Sequence, residues 1–115
     1  MLTIDELKAF GADTEEGLGR CFNNESFYLR LVRAVPDERN FETLKNALDQ
    51  GNLDAGFEAA HALKGVLANL SLTALADPAK EITEHLRARE EMDYGPLMEQ
   101  LFAKRDELKK LCEEE

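Results

Sequence analysis

The chain has 115 residues, enough for one domain with a core that buries roughly two-thirds of the unfolded surface. Hydrophobic residues make up 43%, a globular composition, and 14 basic against 24 acidic side chains leave a net charge of −10. That balance argues against nucleic acid and anionic membrane surfaces as partners, since both demand a basic face.

The longest uncharged stretch, residues 65–76, is far short of a bilayer span and contains Asn69, Ser71 and Thr73. The opening MLTIDELKAF has acids where a secretion signal needs a basic start and an apolar run. A cytoplasmic protein is expected. Cys21 and Cys112 lie outside any metal-ligand spacing and read as free thiols, a single pairing being the alternative. Met1 and a charged tail suit a stand-alone protein, and a monomer is the default expectation, with a dimer through the apolar parts of the N-terminal helices as the alternative.

In chain order, Thr3 caps a short helix running to Phe10 and stopped by Gly11. Asp13, with Glu15 and Glu16 behind it, starts a second short helix reaching about Phe22, broken by Asn23 and Asn24. A third carries Tyr28, Leu31, Val32 and Val35 on one face, and Pro36 stops or kinks it. Four longer helices follow. The first spans about 37–50, with Phe41, Leu44 and Leu48 in one stripe. Gly51 ends it and Asn52 caps the next, which runs from Leu53 to about Leu70. The third, about 72–89, keeps Leu72, Leu75, Ala79, Ile82 and Leu86 in register across Pro78, which sits in the first turn or bends the helix. The last starts near Asp93, with Pro96 in its first turn and Leu97, Leu101, Leu108 and Leu111 inward. Period-two alternation is absent. The expected fold is all-α: an antiparallel up-down-up-down four-helix bundle over 37–112, capped by short helices in 1–36, with 113–115 as a frayed tail.

The second long helix is the informative one. Leu53, Phe57, Ala60, Leu63, Leu67 and Leu70 follow the core period, and Ala59, Ala62 and Val66 widen it. Asp54, Glu58, His61, Lys64, Gly65 and Ala68 are left outward, with Lys64 and Gly65 one turn from His61. A glycine inside a helix costs about 1 kcal/mol against alanine. Close packing would explain it in a core, but on the outward stripe it points to something approaching the backbone beside His61. Ala68 keeps the same surface low. A neutral imidazole nitrogen is a competent nucleophile near neutral pH, and Lys64 is placed to neutralise a phosphoryl group on it. No base or orienting acid can be assigned to His61 from spacing, so a partner must complete the chemistry.

The run His61-Ala-Leu-Lys64-Gly65, followed by Ala68-Asn69-Leu70, resembles the signature of histidine-containing phosphotransfer (HPt) domains. Glu15-Glu16-Gly17-Leu18 with Arg20, Tyr28-Leu29 with Leu31, and Gly51-Asn52 resemble stand-alone bacterial members along nearly the whole chain. Val66 and Ser71 depart from that pattern, standing where the family often has a small or hydroxylated residue and a glycine, as do the bulky Leu72 and Pro78. The resemblance implies that His61, through Nε2, takes a phosphoryl group from a receiver-domain aspartate and passes it to another. Lys64 would neutralise charge, and Glu58, Gly65, Ala68 and Asn69 would form the docking face. It implies no cofactor on this chain, Mg²⁺ on the receiver, and response-regulator receivers and a hybrid sensor histidine kinase as partners. It implies no kinase activity of the chain's own.

Two other classes compete. A binding module could keep the face without phosphotransfer, sequestering a receiver or kinase. Glu58-Ala-Ala-His61 is also the E-x-x-H of carboxylate metal bundles, but those need a second such pair and two more Glu pointing inward. His85, between Glu84 and Leu86 without a Lys-Gly at the same offset, reads as an ordinary surface histidine.

Overall fold

The computed structural model describes residues 2–113, and all regular structure in it is helical. Seven α-helices follow one another: α1 (Ile4–Phe10), α2 (Thr14–Arg20), α3 (Glu25–Ala34), α4 (Arg39–Asp49), α5 (Leu53–Asn69), α6 (Thr73–Arg87) and α7 (Gly95–Glu113). A 3-10 turn, Val35–Asp37, joins α3 to α4 with Pro36 inside it, so the proline tightens the chain between two helices. Glu113 closes α7, while Met1, Glu114 and Glu115, including most of the expected frayed tail, lie outside the described residues. Among the described residues no helix is long and apolar enough to cross a membrane.

Caps set the helix starts. The Thr3 hydroxyl accepts from the Glu6 N–H at 3.1 Å while the Glu6 carboxylate accepts from the Thr3 N–H at 3.0 Å, a reciprocal capping box. Asp13, Asn24 and Asn52 cap α2, α3 and α5 in the simpler way. The second helix ends at Arg20, two residues before the expected Phe22. Phe22 and Asn23 both turn left-handed there, and Asn24 is taken up as the next cap.

The ends of α4, α5 and α6 share one geometry. A residue with positive φ follows each helix: Gly51 at 69°, Ser71 at 55° and Arg89 at 53°. The next N–H reaches back five residues, from Asn52 to Ala47, Leu72 to Leu67 and Glu90 to His85. This closure favours glycine; a residue with a Cβ costs about 1 kcal/mol or more in that conformation. Ser71 and Arg89 are held there by contacts described below.

The long helices bury one connected core of Phe41, Leu44, Leu63, Leu67, Leu72, Leu75, Ile82, Leu86, Leu101 and Leu108. α5 packs between α4 and α6, and α6 packs on α7. Phe41 of α4 meets Phe102 of α7 edge-on at 6.0 Å, with the Arg105 guanidinium over both rings, so α7 returns to α4. Gly56, near the start of α5, lies where a Cβ would meet Leu48 and Leu86 from the far ends of α4 and α6. Pro78 is the sixth residue of α6, deeper than the first turn; α6 continues through it with the ring buried. The ring takes away the N–H that would bond the Ala74 carbonyl.

The N-terminal helices sit over the α5–α6 turn. Asp13 donates its N–H to the Ser71 carbonyl at 2.9 Å, Ala74 donates to Gly11 at 2.9 Å, and the Tyr28 hydroxyl donates to the Leu70 carbonyl at 2.8 Å. Tyr28 is fully buried, and burial, then the nearby Cys21 and Asp13, pushes its pKa up to about 12. Gly17 makes room for it: a Cβ there would stand 2.5 Å from the Tyr28 hydroxyl. The third helix presents Leu29 inward beside Tyr28 and Val32, whereas Leu31, expected inward, is 37% exposed. Leu31 sits a quarter-turn off that face, on the rim of a groove it shares with Val66 and Asn69 of α5. Cys21 is buried, Cys112 half-buried, and both are free thiols.

Candidate functional site

α5 owes its burial pattern to small residues. Gly56, Ala59 and Ala60 let neighbouring helices approach, and with Leu63 and Leu67 they centre the dry face. His61 is thereby turned outward and exposed, at mid-helix. Two expected core residues move with this rotation. Ala62 is exposed next to His61, and Phe57 is only half-buried on the flank of the helix. The Phe57 ring stacks against the His61 imidazole, with centroids 5.6 Å apart and planes at 27°. Side chains one turn apart on a helix meet in this way.

Two cations, from the last residue of α6 and the turn after it, also lie on Phe57. The Arg87 and Arg89 guanidiniums lie 5.1 and 4.9 Å from its ring centre. Arg89 also binds Asp54 at 2.7 Å and the Leu86 carbonyl at 2.7 Å, contacts that offset its left-handed backbone. Arg87 binds Glu84 at 2.9 Å. Glu84 titrates below the ordinary carboxylate range, first through this hydrogen bond and the charge of Arg87, then, against some desolvation, through Lys64 and Lys80.

Four of the expected site residues line two grooves, and His61 and Glu58 line neither. Lys64, Gly65 and Ala68 line one of about 400 Å³, shared with Arg20 of α2 and Lys80 of α6. Asn69 lines the other, beside Val66, Leu31 and Glu38, and so does not join Lys64. Glu58 stands exposed one turn before His61. A Cβ built at Gly65 meets nothing within 4 Å. No neighbouring helix requires the glycine, and its effect is to leave open space over a half-buried stretch of backbone one turn from the imidazole.

Glu58 and His61 both face outward, and among the described residues no group of three or more His, Cys, Asp or Glu gathers to hold a metal. His85, in the last turn of α6, bonds Glu90 of the following turn at 3.0 Å. Phe57, Arg87, Arg89, Arg20 and Lys80 are the neighbours that reading the histidine helix alone does not bring out. Phe57 carried a helical-period signal but for the wrong face; the cations come from other helices.

No curated protein and no solved structure matches the chain. A family model does: that of the Hpt domain, over residues 37–114. The match begins within the 3-10 turn before α4 and takes in α4 to α7, including His61 and its surroundings, while leaving the N-terminal helices outside. With about two-thirds of its length inside that match, the chain belongs to the Hpt domain family.

Proposed function

We propose that His61 is the phosphoacceptor of a phosphorelay intermediate. Membership of the Hpt family implies histidine phosphotransfer in phosphorelay signalling, and the reading of this particular residue rests on one observation. The exposed imidazole stands one turn from a helical glycine whose surface is open, so another protein's active centre can close on it. The lone pair of Nε2 attacks phosphorus as the P–O bond to a receiver aspartate breaks. The bonding electrons leave on the restored carboxylate, and the proton remaining on Nδ1 passes to water. Reversing the steps on a second receiver completes the relay. Such a transfer is a matter of position and charge. Lys64 supplies the neutralising charge from this side. Glu58, Gly65, Ala68 and Asn69 form the docking face, and the receiver brings Mg²⁺ bound to its own carboxylates.

The partners in this reading are response-regulator receivers and a hybrid sensor histidine kinase; the chain has no kinase activity itself. It works in the cytoplasm as a monomer. Residues 1–36 cap a bundle of 37–112 within one domain, and the bundle is antiparallel, up-down-up-down. The meeting of Gly56 with the far ends of α4 and α6 supports that order.

The test is transfer from receiver domains charged with radiolabelled acetyl phosphate, with His61→Gln beside the wild type. Label on the wild type alone, stable in base and lost in acid, is the expected result. Equal label on both proteins refutes the choice of nucleophile. Label on neither, across receivers from the source organism, leaves the binding-module reading in its place.

A further inference from the structure

The groove beside Lys64 is basic in a chain of net charge −10. Its cations are Arg20, Lys64 and Lys80, and its acids are Glu16 and Asp77. Among the described residues neither lysine has a carboxylate within 4 Å, so neither is tied in an ion pair, although Glu84 lies near enough to feel both charges. Arg20 is different in origin. It comes from α2, outside the span that matches the Hpt family.

A specific contact holds it there. The Ser71 hydroxyl donates to Glu16 Oε1 at 2.6 Å, and the same oxygen faces Arg20 Nη2 at 3.5 Å. Ser71 occupies the left-handed position that glycine adopts more readily, so the serine is a choice of side chain over backbone ease. Its hydroxyl ties α2 to the α5–α6 turn, and the tie keeps the guanidinium, half-exposed, on the rim of the groove that Gly65 opens.

We infer that Arg20, positioned by the Ser71–Glu16 contact, is a docking and specificity residue that draws the anionic rim of a receiver domain onto the His61 face. The inference rests on the phosphorelay reading. An aspartyl phosphate is an anion, and a Mg²⁺ beside it is held by further carboxylates, so the approaching surface is negative. Three cations on one edge favour encounter and fix its orientation, an effect carried by association rather than by chemistry.

The experiment measures transfer rates from the receiver of the same panel that reacts fastest, for wild type, Arg20→Ala, Arg20→Glu, Arg20→Lys and Ser71→Gly, at low and high salt. Arg20→Ala should lower kcat/KM about fivefold at low salt, through KM, with kcat kept. Arg20→Glu should lower it further, and Arg20→Lys should recover most of the loss. The differences should shrink at high salt, where exposed charges are screened. Arg20→Ala should cost less on a Ser71→Gly background, because the arginine is then no longer pinned. Thermal melts confirm that each variant folds. Wild-type rates and wild-type salt dependence in both Arg20→Ala and Arg20→Glu overturn the proposal. Base-stable label passed from a receiver to wild type but not to His61→Gln keeps the phosphorelay reading standing even when the Arg20 proposal falls; no label from any receiver removes both.

Discussion

Gly65→Ala separates stability from function in one substitution. Alanine at a helix interior is favoured over glycine by about 1 kcal/mol, because glycine loses more backbone freedom on folding. The structure adds no steric charge against it, since the new Cβ meets nothing within 4 Å. For a chain of this size the gain corresponds to a rise in melting temperature of roughly 4 °C. The same methyl group would stand on the uncovered surface one turn from His61. A partner pushed back by about 1 Å loses roughly 100-fold in a positioned transfer, and one that tilts to relieve the clash still loses about tenfold. Circular dichroism melts and receiver-to-protein transfer rates, on the same preparation, read the two effects. A variant that melts higher and transfers at least tenfold more slowly is expected. A higher melt with wild-type transfer refutes the idea that a partner approaches the backbone here, and a lower melt refutes the open surface itself.

Three further outcomes follow from named contacts. Lys64→Ala should slow formation of base-stable label about tenfold or more, with Lys64→Arg retaining part of the rate, as checked by quenched transfer time courses. Gly17→Ala should destabilise the fold by about 1–3 kcal/mol in chemical denaturation, because its Cβ would overlap the Tyr28 ring. Tyr28→Phe should cost about 1–2 kcal/mol by leaving the Leu70 carbonyl without its donor. It should also change the alkaline limb. With the folded pKa raised to about 12 from an ordinary 10, the native state holds its proton where the unfolded state has lost it. Stability attributable to Tyr28 is therefore level below pH 10 and falls as pH rises from 10 to 12. The difference between wild-type and Tyr28→Phe unfolding free energies should shrink over that window, and a constant difference counts against the burial argument.

Much of this fold is legible along the chain because its signals are local. Thr3, Asp13 and Asn52 cap through their own side chains, and Gly11 and Gly51 stop helices through their own backbones. The α6 register of Leu72, Leu75, Ala79, Ile82 and Leu86 is buried throughout, as its spacing indicates. Legibility fails where a neighbour decides. Leu31 and Leu29 are equally apolar, and only the placement of the third helix over the α5–α6 turn selects Leu29 for the interior. Phe57 looks like core by period, but the small residues Gly56, Ala59 and Ala60 fix the dry face a quarter-turn away, because close approach needs low side chains there.

The same distinction divides the site. His61, Lys64 and Gly65 lie three and four residues apart on one helix, so a single helical turn brings them together and spacing alone reveals the group. Arg20, Lys80, Arg87 and Arg89 reach its margins through two other helices, and their arrival depends on how the turns close. Both turns involved place a side chain where glycine would be easier: Ser71 to hold Glu16, Arg89 to hold Asp54 and cover Phe57. In the sequence these positions read as departures or as nothing at all. In the structure, two left-handed backbones are kept by contacts that hold Arg20 on the rim of the Lys64 groove and Arg89 over Phe57, the ring that stacks on His61. If their only purpose were to end helices, Ser71→Gly and Arg89→Gly would relieve strain at no loss. If they arrange the rim, the turns will survive those changes while salt-dependent transfer from a receiver weakens, and that contrast is measurable in two variants.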